Sequence, residues 1–447
     1  MLRKQDLNDL DGLRFELRQA EEEGRRVSDG IRSMAERAER EGNQGLARQV
    51  YEAVQALPVR DDYSYREPET LEKALIGFPD IRFPVDESRL EDRILGGWLG
   101  RCAGCLLGQP VEGWKRGRIL GLLKETGNYP VRSYISSAIP EALRQKYGVT
   151  DKGKVYGANQ INWINNVQWM PEDDDTNYVI LALKLLEAYG PDFTSDDVAE
   201  NWLDNLPILH VYTAERIAYR NFVMGVYPPE SASFANPYRE WIGAQIRTDF
   251  YGYIAPGNPA LAARMAWRDC TISHIRNGIY GGVWVAATLS LAAVSETFSE
   301  AIRRGLEFVP ARSRLREGLD QVAKWHEEGL SWQECLDRIH QRYDEGNRHD
   351  WCHVVPNAMI VLAALTYGEE DLEKTIGIAL CGALDTDCNA ATAGSILGAF
   401  LGAGRLPEKW IAPLHDTILS GVDGFGKGSI SGLAERTCVI ARKLLEG

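Results

Sequence analysis

Small residues recur every four positions in two apolar segments, and this spacing restricts the fold more than any other feature of the chain. The residues are Gly100, Gly104 and Gly108 in the first segment and Ala390, Gly394, Gly398 and Gly402 in the second. In a helix, a four-residue spacing places such residues on one face, where the backbone of a neighbouring helix can approach closely. Glycine costs about 1 kcal/mol per helical position relative to alanine, so the two stripes indicate a close packing contact or a functional requirement.

The rest of the chain after residue 90 also has a helical pattern. Two examples are Asn177–Tyr189, ended by Gly190 and Pro191, and Ser299–Phe308, followed by Pro310. Alternating strand patterns rich in β-branched residues are scarce. We therefore expect an all-α fold, in which residues 90–447 form one compact multi-helix domain.

The first 60 residues have a different character. Residues 1–50 contain 10 basic and 11 acidic side chains and no proline. The spacing of Leu7, Leu10, Leu13 and Leu17 predicts an amphipathic helix, and Arg25–Glu41 predicts a second, very polar one. We expect residues 1–60 to form a helical arm, which packs on the body or joins copies of the chain into a homo-oligomer. The alternative is a solvated helix with no role beyond stability. Residues 61–89, with Pro68, Pro79 and Pro84, predict an irregular connector.

Charge and hydropathy exclude several classes of protein. Sixty-four acidic residues against fifty basic ones give a net charge of −14, which argues against a general nucleic-acid binder and against docking on anionic membranes. The N-terminus lacks the apolar core of a signal peptide. The uncharged segments Gly278–Ser295 and Cys388–Gly404 consist mainly of small residues, so we predict buried helices rather than membrane spans. Eight cysteines with one close pair, Cys102 and Cys105, are consistent with buried thiols in the cytoplasm.

The first candidate for chemistry is the run Glu172–Asp175, four consecutive carboxylates directly before a predicted helix. Such charges repel one another unless a cation or solvent relieves them. One or two acids are enough to cap a helix, so a full run suggests a further role. The alternative is an over-acidic cap on the surface.

A second acidic motif, Asp385-Thr386-Asp387-Cys388-Asn389, also opens a helix. It begins like a calcium-binding loop, but Ala390 and Ile396 stand where that loop requires glycine and glutamate. Two carboxylate clusters at the starts of two apolar helices suit hard divalent cations such as magnesium or manganese. The sequence alone leaves open whether the two clusters meet.

These motifs together resemble those of the ADP-ribosylglycohydrolase family. The segment Gly100–Glu112 resembles the opening glycine-rich helix of that family, Asp173–Thr176 its first metal motif, and Asp385–Gly394 its C-terminal metal motif. Ser273 and His274, followed by Asn277–Gly281, resemble a further segment. The similarity runs in order from about residue 90 to about residue 405, and the N-terminal arm lies outside it.

The resemblance implies an all-α enzyme with two Mg²⁺ or Mn²⁺ ions, in which water attacks the anomeric carbon of a ribosyl group. The implied metal ligands are Asp173, Asp174, Asp175, Asp385 and Asp387, and the implied catalytic carboxylates are Glu112 and Asp174. The implied substrate-binding residues are Gly243, Gln245, Arg247, His274, Asn277 and Tyr280. The alternatives are a surface position for Glu112 and core packing for His274 and Tyr280.

Three residues depart from the pattern of the family. Asp173 and Cys388 each replace a threonine ligand, and Cys105 stands where the family often has an acid. A soft thiol beside a hard cation could change the choice or the number of metal ions. The polar segment Ala214–Asn221 has no counterpart, and either a leaving-group pocket or a buried salt-bridged helix would explain it.

The expected function is that of a metal-dependent hydrolase. It would cleave the N- or O-glycosidic bond of an ADP-ribosyl or related nucleotide-ribosyl substrate, either an ADP-ribosylated protein or a small molecule. One alternative is a hydrolase of a small N-ribosyl metabolite, such as a nucleoside or a nicotinamide-derived compound. Another is a catalytically silent ADP-ribose binder.

Overall fold

The computed structural model describes residues 7–155 and 158–446, and within them it is 63% helical and 3% strand. The predicted all-α fold is confirmed. The helices are α1 (Leu13–Glu22), α2 (Asp29–Glu41), α3 (Gln44–Gln55), α4 (Leu71–Leu75), α5 (Glu87–Gly108), α6 (Arg116–Glu125), α7 (Glu141–Tyr147), α8 (Asp174–Tyr189), α9 (Ser195–Asn205), α10 (Thr213–Val223), α11 (Asp249–Ile254), α12 (Pro259–Cys270), α13 (Arg276–Ala292), α14 (Phe298–Gly305), α15 (Arg314–Glu327), α16 (Trp332–Arg342), α17 (Arg348–Cys352), α18 (Val354–Tyr367), α19 (Leu372–Gly382), α20 (Thr386–Leu401), α21 (Glu408–Ile411) and α22 (Ile430–Glu446). Two antiparallel pairs of short strands complete the fold, β1 (Lys152–Val155) with β2 (Ala158–Gln160) and β3 (Ile418–Leu419) with β4 (Lys427–Gly428). In the described part of the chain, no helix combines the length and the apolarity that a membrane crossing requires.

The two stripes of small residues pack against each other along the full contact between α5 and α20. A Cβ atom added to Gly100 would overlap the carbonyl oxygen of Gly394, and one added to Gly104 would overlap that of Ala390. The same holds for Gly108 against Thr386, at the end of the contact. The C-terminus of α5 is therefore held beside the N-terminus of α20, where the second acidic motif begins.

The helices around this pair form the core. Every residue of α13 and α20 is buried, as predicted for these two uncharged segments. Helix α8 begins at Asp174, three residues before the predicted start at Asn177. The earlier start arises because Asp173 caps the helix, its carboxylate accepting a hydrogen bond from the backbone N–H of Asp175 at 3.0 Å. The first acidic motif is thus partly inside the helix.

In its described residues, 7–60, the arm has three helices, whereas the sequence predicted two. Its first helix begins only at Leu13, because the Asn8 side chain accepts hydrogen bonds from the N–H groups of Leu10 and Asp11 and holds a turn there. The second helix begins at Asp29, capped by Ser28, and not at Arg25. The third, α3, was not predicted. The three helices share a small apolar cluster, which includes Leu13, Leu17, Leu46, Val50 and Val54.

The arm packs on the body through buried ion pairs. Arg239 of the body binds Glu16 at 2.5 Å and Glu23 at 2.7 Å, and all three side chains are buried. Glu22 lies 3.2 Å from His349, and its carboxylate also lies 3.5 Å from His353. Packing on the body, one of the two expected roles of the arm, is therefore observed. Homo-oligomerisation through the arm stays a prediction.

Candidate metal centre

The two acidic motifs meet, which the sequence alone left open. Three groups of side chains each place their ligand atoms within 4.8 Å of one another. The groups are Glu112, Asp385 and Asp387; Asp175, Asp387 and Cys388; and Cys105, Asp173 and Asp175. Asp387 belongs to the first two groups and Asp175 to the last two, so the three groups form one continuous cluster. Asp174 begins α8 beside this cluster and remains partly exposed.

Burial and mutual repulsion raise the pKa values of the carboxyl groups in the cluster. Asp173, Asp175, Asp385 and Asp387 are each no more than 5% exposed. Burial, together with the charges of neighbouring carboxylates, raises the pKa of Asp173 to about 7 and that of Asp387 to about 6. Without a cation, the cluster therefore retains protons that ordinary carboxyl groups would have lost.

Glu112 approaches the same cluster from the end of α5. The residue is exposed to solvent, unlike the four buried aspartates. The Asp387 carboxylate raises the pKa of Glu112 well above its ordinary value. An exposed carboxyl group beside a buried anionic cluster has the position and the acidity that suit a general acid or base.

Polar side chains from α5 and its C-terminal end hold the first acidic motif in place. Arg101 donates to Asp175 Oδ1 at 2.8 Å and to Asp249 at 2.9 Å, and it is completely buried. Gln109 donates to Asp173 Oδ2 at 2.6 Å. Both residues were missed as site residues by sequence reasoning, although Arg101 is the one charge in an apolar glycine-rich run.

The amide of Asn357 holds the second motif. Its oxygen accepts hydrogen bonds from the backbone N–H of Asp385 at 3.3 Å and from the Asn389 side chain at 2.8 Å. Asn357 lies on α18, so the start of α20 is attached to a third helix. Sequence reasoning missed this residue too, because nothing near it in the chain marks a site.

One atom tests directly whether a cation fits. Asp175 Oδ2 is buried and has no hydrogen-bond partner, whereas Oδ1 of the same carboxylate is paired with Arg101. A buried oxygen without a partner costs free energy that a bound cation would recover. The predominance of carboxylate oxygens fits Mg²⁺ or Mn²⁺. The residues present therefore fit the divalent ions expected from the resemblance.

The glycine-containing loop before α11 lies over a buried ionic network. Arg247 binds Glu215 at 2.9 Å, the Ser273 hydroxyl at 2.8 Å, and Asp269. Gly243 faces Glu215 so closely that a Cβ atom would overlap the carboxylate. Burial raises the pKa of Glu215 to about 7.

Arg247, expected to bind the phosphates of a substrate, is neutralised inside the protein by two acids, and a phosphate contact stays a prediction. Its guanidinium group is 1% exposed and is already paired with two acids. Glu215 belongs to the segment Ala214–Asn221 and lies on α10. Of the two explanations offered for this segment, its contacts match a buried salt-bridged helix.

Two further expected substrate contacts are buried in the same region. His274 lies with Nδ1 2.8 Å from the Ser273 hydroxyl, and burial lowers its pKa well below the ordinary value, which keeps it neutral. Gln245 is buried and neither polar atom of its amide has a hydrogen-bond partner. The buried, neutral His274 thus matches the alternative given for it, a side chain packed in the core.

Asn277 and Tyr280 lie under the connector. Asn277 donates to Glu67 at 2.7 Å and to Glu240 at 2.9 Å, and the Tyr280 hydroxyl donates to the carbonyl oxygen of Pro68 at 2.6 Å. These bonds use the polar groups that would have contacted a ligand. In this structure the two side chains hold the connector on the body, and their expected contact with a substrate stays a prediction.

A comparison with family models finds a match over most of the chain. The family model for ADP-ribosylglycohydrolase matches residues 86–445. The chain therefore belongs to the ADP-ribosylglycohydrolase family. Membership of this family supports an activity as a hydrolase of glycosidic bonds. The matched region begins one residue before α5 and leaves out the arm and most of the connector.

Among solved structures, one described as an "ADP-ribosylglycohydrolase-related protein complex" is 19% identical with a TM-score of 0.49, covering 79% of this chain and 99% of that chain. A search of curated proteins finds no match.

Proposed function

We propose that this protein is a divalent-metal-dependent hydrolase that cleaves the N- or O-glycosidic bond of an ADP-ribosyl or related nucleotide-ribosyl substrate. The observation that supports the proposal is the convergence of both acidic motifs and Glu112 on one cluster. A silent ADP-ribose binder would have no need for so many buried carboxylates, whose mutual repulsion destabilises the metal-free protein.

The chemistry of the bond explains why such a cluster is useful. Cleavage of a ribosyl bond develops oxocarbenium character at the anomeric carbon, and a water molecule must be positioned and deprotonated. Divalent ions, when bound, supply Lewis acidity and orient hydroxyl groups and water. Asp173, Asp174, Asp175, Asp385 and Asp387 would hold them.

Glu112 is our candidate for the proton transfer. Its carboxyl group is open to solvent on one side and borders Asp385 and Asp387 on the other. It would take a proton from the attacking water and return it to the leaving group. Asp174, also partly exposed, would hold the ribose and the water in position from the opposite motif.

The test is a hydrolysis assay on metal-stripped protein with Mg²⁺ or Mn²⁺ restored. The panel contains an ADP-ribosylated protein, a small ADP-ribosyl ester and free nucleosides, with products separated by chromatography. The proposal expects free ADP-ribose from one of the first two substrates and none without metal. Turnover of nucleosides alone would favour the small-metabolite alternative, and binding of ADP-ribose without any turnover would favour the silent binder.

A matched pair of variants makes the assay specific. Asp385→Ala should lose activity with the fold retained. Glu172→Gln is the control. The Glu172 carboxylate precedes the first motif but pairs with His210 at 2.5 Å rather than with the cluster, so activity should persist. Unchanged activity in Asp385→Ala would contradict the two-motif site.

A further inference from the structure

A carboxylate of the arm meets two imidazoles of the body at a place outside the carboxylate cluster of the candidate metal centre. Glu22 Oε2 lies 3.2 Å from His349 Nε2 and 3.5 Å from His353 Nε2. The three side chains offer ligand atoms that all lie within 4.8 Å of one another. Glu22 is the last residue of α1, and the two histidines, four positions apart, lie in α17 and directly after it. Two histidines and a carboxylate form a ligand set that suits zinc and other borderline transition-metal ions.

The separations between these atoms match those around a tetrahedral ion. Zinc lies about 2.0–2.2 Å from a histidine nitrogen or a carboxylate oxygen, so two of its ligand atoms are about 3.3–3.5 Å apart. The two distances from Glu22 Oε2 are close to this range. Hydrogen bonds from nitrogen to oxygen are usually shorter, with a separation of about 2.9–3.0 Å. The arrangement therefore has room for an ion between the three side chains.

A buried nitrogen without a partner points to the same ion. His353 is 4% exposed, and its Nε2 atom, which faces the Glu22 carboxylate, has no hydrogen-bond partner. Such an atom costs free energy that a bound cation would recover. The other oxygen of Glu22, Oε1, accepts a hydrogen bond from Arg18 at 3.0 Å, which fixes the carboxylate and leaves Oε2 for the histidines. Arg314 Nη1 stays 3.9 Å from Oε2, beyond hydrogen-bond distance.

Both imidazoles can present a lone pair to a metal ion. Burial lowers the pKa of His349, which keeps its ring in the neutral form that metal ions bind. His353 Nδ1 accepts a hydrogen bond from the backbone N–H of Val355 at 3.2 Å, so its neutral ring carries the proton on Nε2. On metal binding this proton moves to Nδ1, the hydrogen bond from Val355 is lost, and a bond from Nε2 to the metal forms. One hydrogen bond is weaker than a zinc–imidazole bond, so the exchange favours the ion.

We propose that Glu22, His349 and His353 bind a Zn²⁺ ion that fastens the arm to the body. A cavity of about 390 Å³ adjoins this site, and Glu22 and His353 are among the residues that line it, so water can supply the fourth ligand. The site shares no ligand with the carboxylate cluster, and the inference does not depend on the proposed hydrolase activity. Because Glu22 lies outside residues 86–445, the ion would couple the segment that matches the family to a part of the chain that the match leaves out.

The first test measures zinc binding. Metal-stripped full-length protein, with Mg²⁺ in excess to fill the carboxylate cluster, competes for Zn²⁺ against a chromophoric chelator. We expect a tightly bound zinc ion in the wild-type protein. The affinity should be at least about tenfold weaker in His349→Ala, since even the loss of a group that only orients a metal ligand has that effect. His326→Ala, which removes an exposed histidine on α15, is the matched control and should bind zinc as the wild-type protein does.

The second test locates the ion, because zinc at this site should protect the arm. Zn²⁺, but not Mg²⁺, should slow proteolytic cleavage within the first 60 residues several-fold in the wild-type protein and in His326→Ala. It should not slow cleavage in His349→Ala. If circular dichroism shows that His349→Ala does not fold, Glu22→Gln replaces it, because the Glu22 side chain is 30% exposed and glutamine keeps its shape.

Three results would each overturn the inference. They are a wild-type protein that binds no zinc in the presence of Mg²⁺, a zinc affinity that is the same in the wild-type protein and in Glu22→Gln, and a zinc affinity that Asp385→Ala abolishes, which would place the ion in the carboxylate cluster. Hydrolysis of a ribosyl substrate by a protein without zinc at the arm would overturn this inference alone. Zinc binding at the arm of a protein that hydrolyses no ribosyl substrate would support this inference and overturn the proposed function.

Discussion

At the scale of single residues, the buried carboxyl groups of the candidate metal centre hold protons that a bound cation would displace. Asp173 and Asp387 have raised pKa values in the folded protein, about 7 and about 6, against roughly 3.9 for an unfolded aspartate. Carboxyl groups with raised pKa values favour the folded state below the unfolded value, and that contribution is lost as the pH rises through the folded pKa. Neutral and alkaline pH should therefore destabilise the metal-free centre.

The first prediction follows from this competition. Because Mg²⁺ binds the deprotonated groups, its stabilising effect should be small near about pH 5 and should grow through pH 6 to 7. Thermal melts of metal-stripped protein with and without Mg²⁺, at a series of pH values, measure the difference. A melting-temperature increment that does not change with pH would contradict the account.

A second prediction concerns Arg101, whose buried guanidinium group compensates Asp175 and Asp249. Arg101→Met leaves two buried carboxylates without their partner, and removal of one member of a buried ion pair costs about 3–5 kcal/mol. Urea unfolding should show a loss of this order. A loss below about 1 kcal/mol, the size of a surface pair, would mean that Arg101 does not support the site.

At the scale of secondary-structure elements, the contact between α5 and α20 places Glu112 beside the second acidic motif. The spacing of glycine predicted a close helix contact but could not identify the partner helix. A helix face without side chains allows the close approach of any other backbone. The early start of α8 depends on the cap at Asp173. The sequence analysis gave a cap as the alternative to a metal site for this acidic run but placed it on the surface, whereas Asp173 is buried. Helix α3 was missed although Asn43 caps it and Leu46, Val50 and Val54 follow a helical spacing.

The third prediction tests this contact. In Gly104→Ala the new methyl group would overlap the Ala390 carbonyl oxygen, so α5 and α20 must separate. We expect a loss of about 1–3 kcal/mol of stability and weaker metal binding, because Glu112 moves away from Asp387. Gly117→Ala on α6 is the control, since a methyl group there meets nothing within 4 Å. Equal denaturation midpoints for the two variants would contradict the role of the stripe.

At the scale of the whole molecule, the arm and most of the connector lie outside the matched region and pack on a part of the body that lies inside it. Sequence comparison led us to expect substrate contacts at Asn277 and Tyr280, yet these residues bind Glu67 and Pro68 of the connector. This could not be predicted, because the segment that contacts them lies outside the region of similarity. The acidic motifs were predictable because their chemistry depends on few residues, each close to its neighbours in the chain.

The fourth prediction concerns the docking of the arm. Arg239→Ala leaves Glu16 buried without its cation and removes the nearest cation of Glu23, so the arm should open more often. Limited proteolysis should then cut within the first 60 residues faster than in the wild-type protein. Arg14→Ala removes an exposed ion pair with Glu39 and should leave the cleavage rate unchanged. Identical rates for both variants would contradict the contribution of Arg239.

We propose that the two acidic motifs form one divalent-metal centre that accepts an ADP-ribosyl group. The most direct measurement is a thermal-shift titration of metal-stripped protein with Mg²⁺ or Mn²⁺, each with and without ADP-ribose. A ligand at a hundredfold excess over its Kd stabilises the folded state by about 2.7 kcal/mol. We expect stabilisation by the metal, a larger shift with metal and ADP-ribose together, and neither in Asp385→Ala. A wild-type protein whose melting temperature responds to no divalent metal would contradict it.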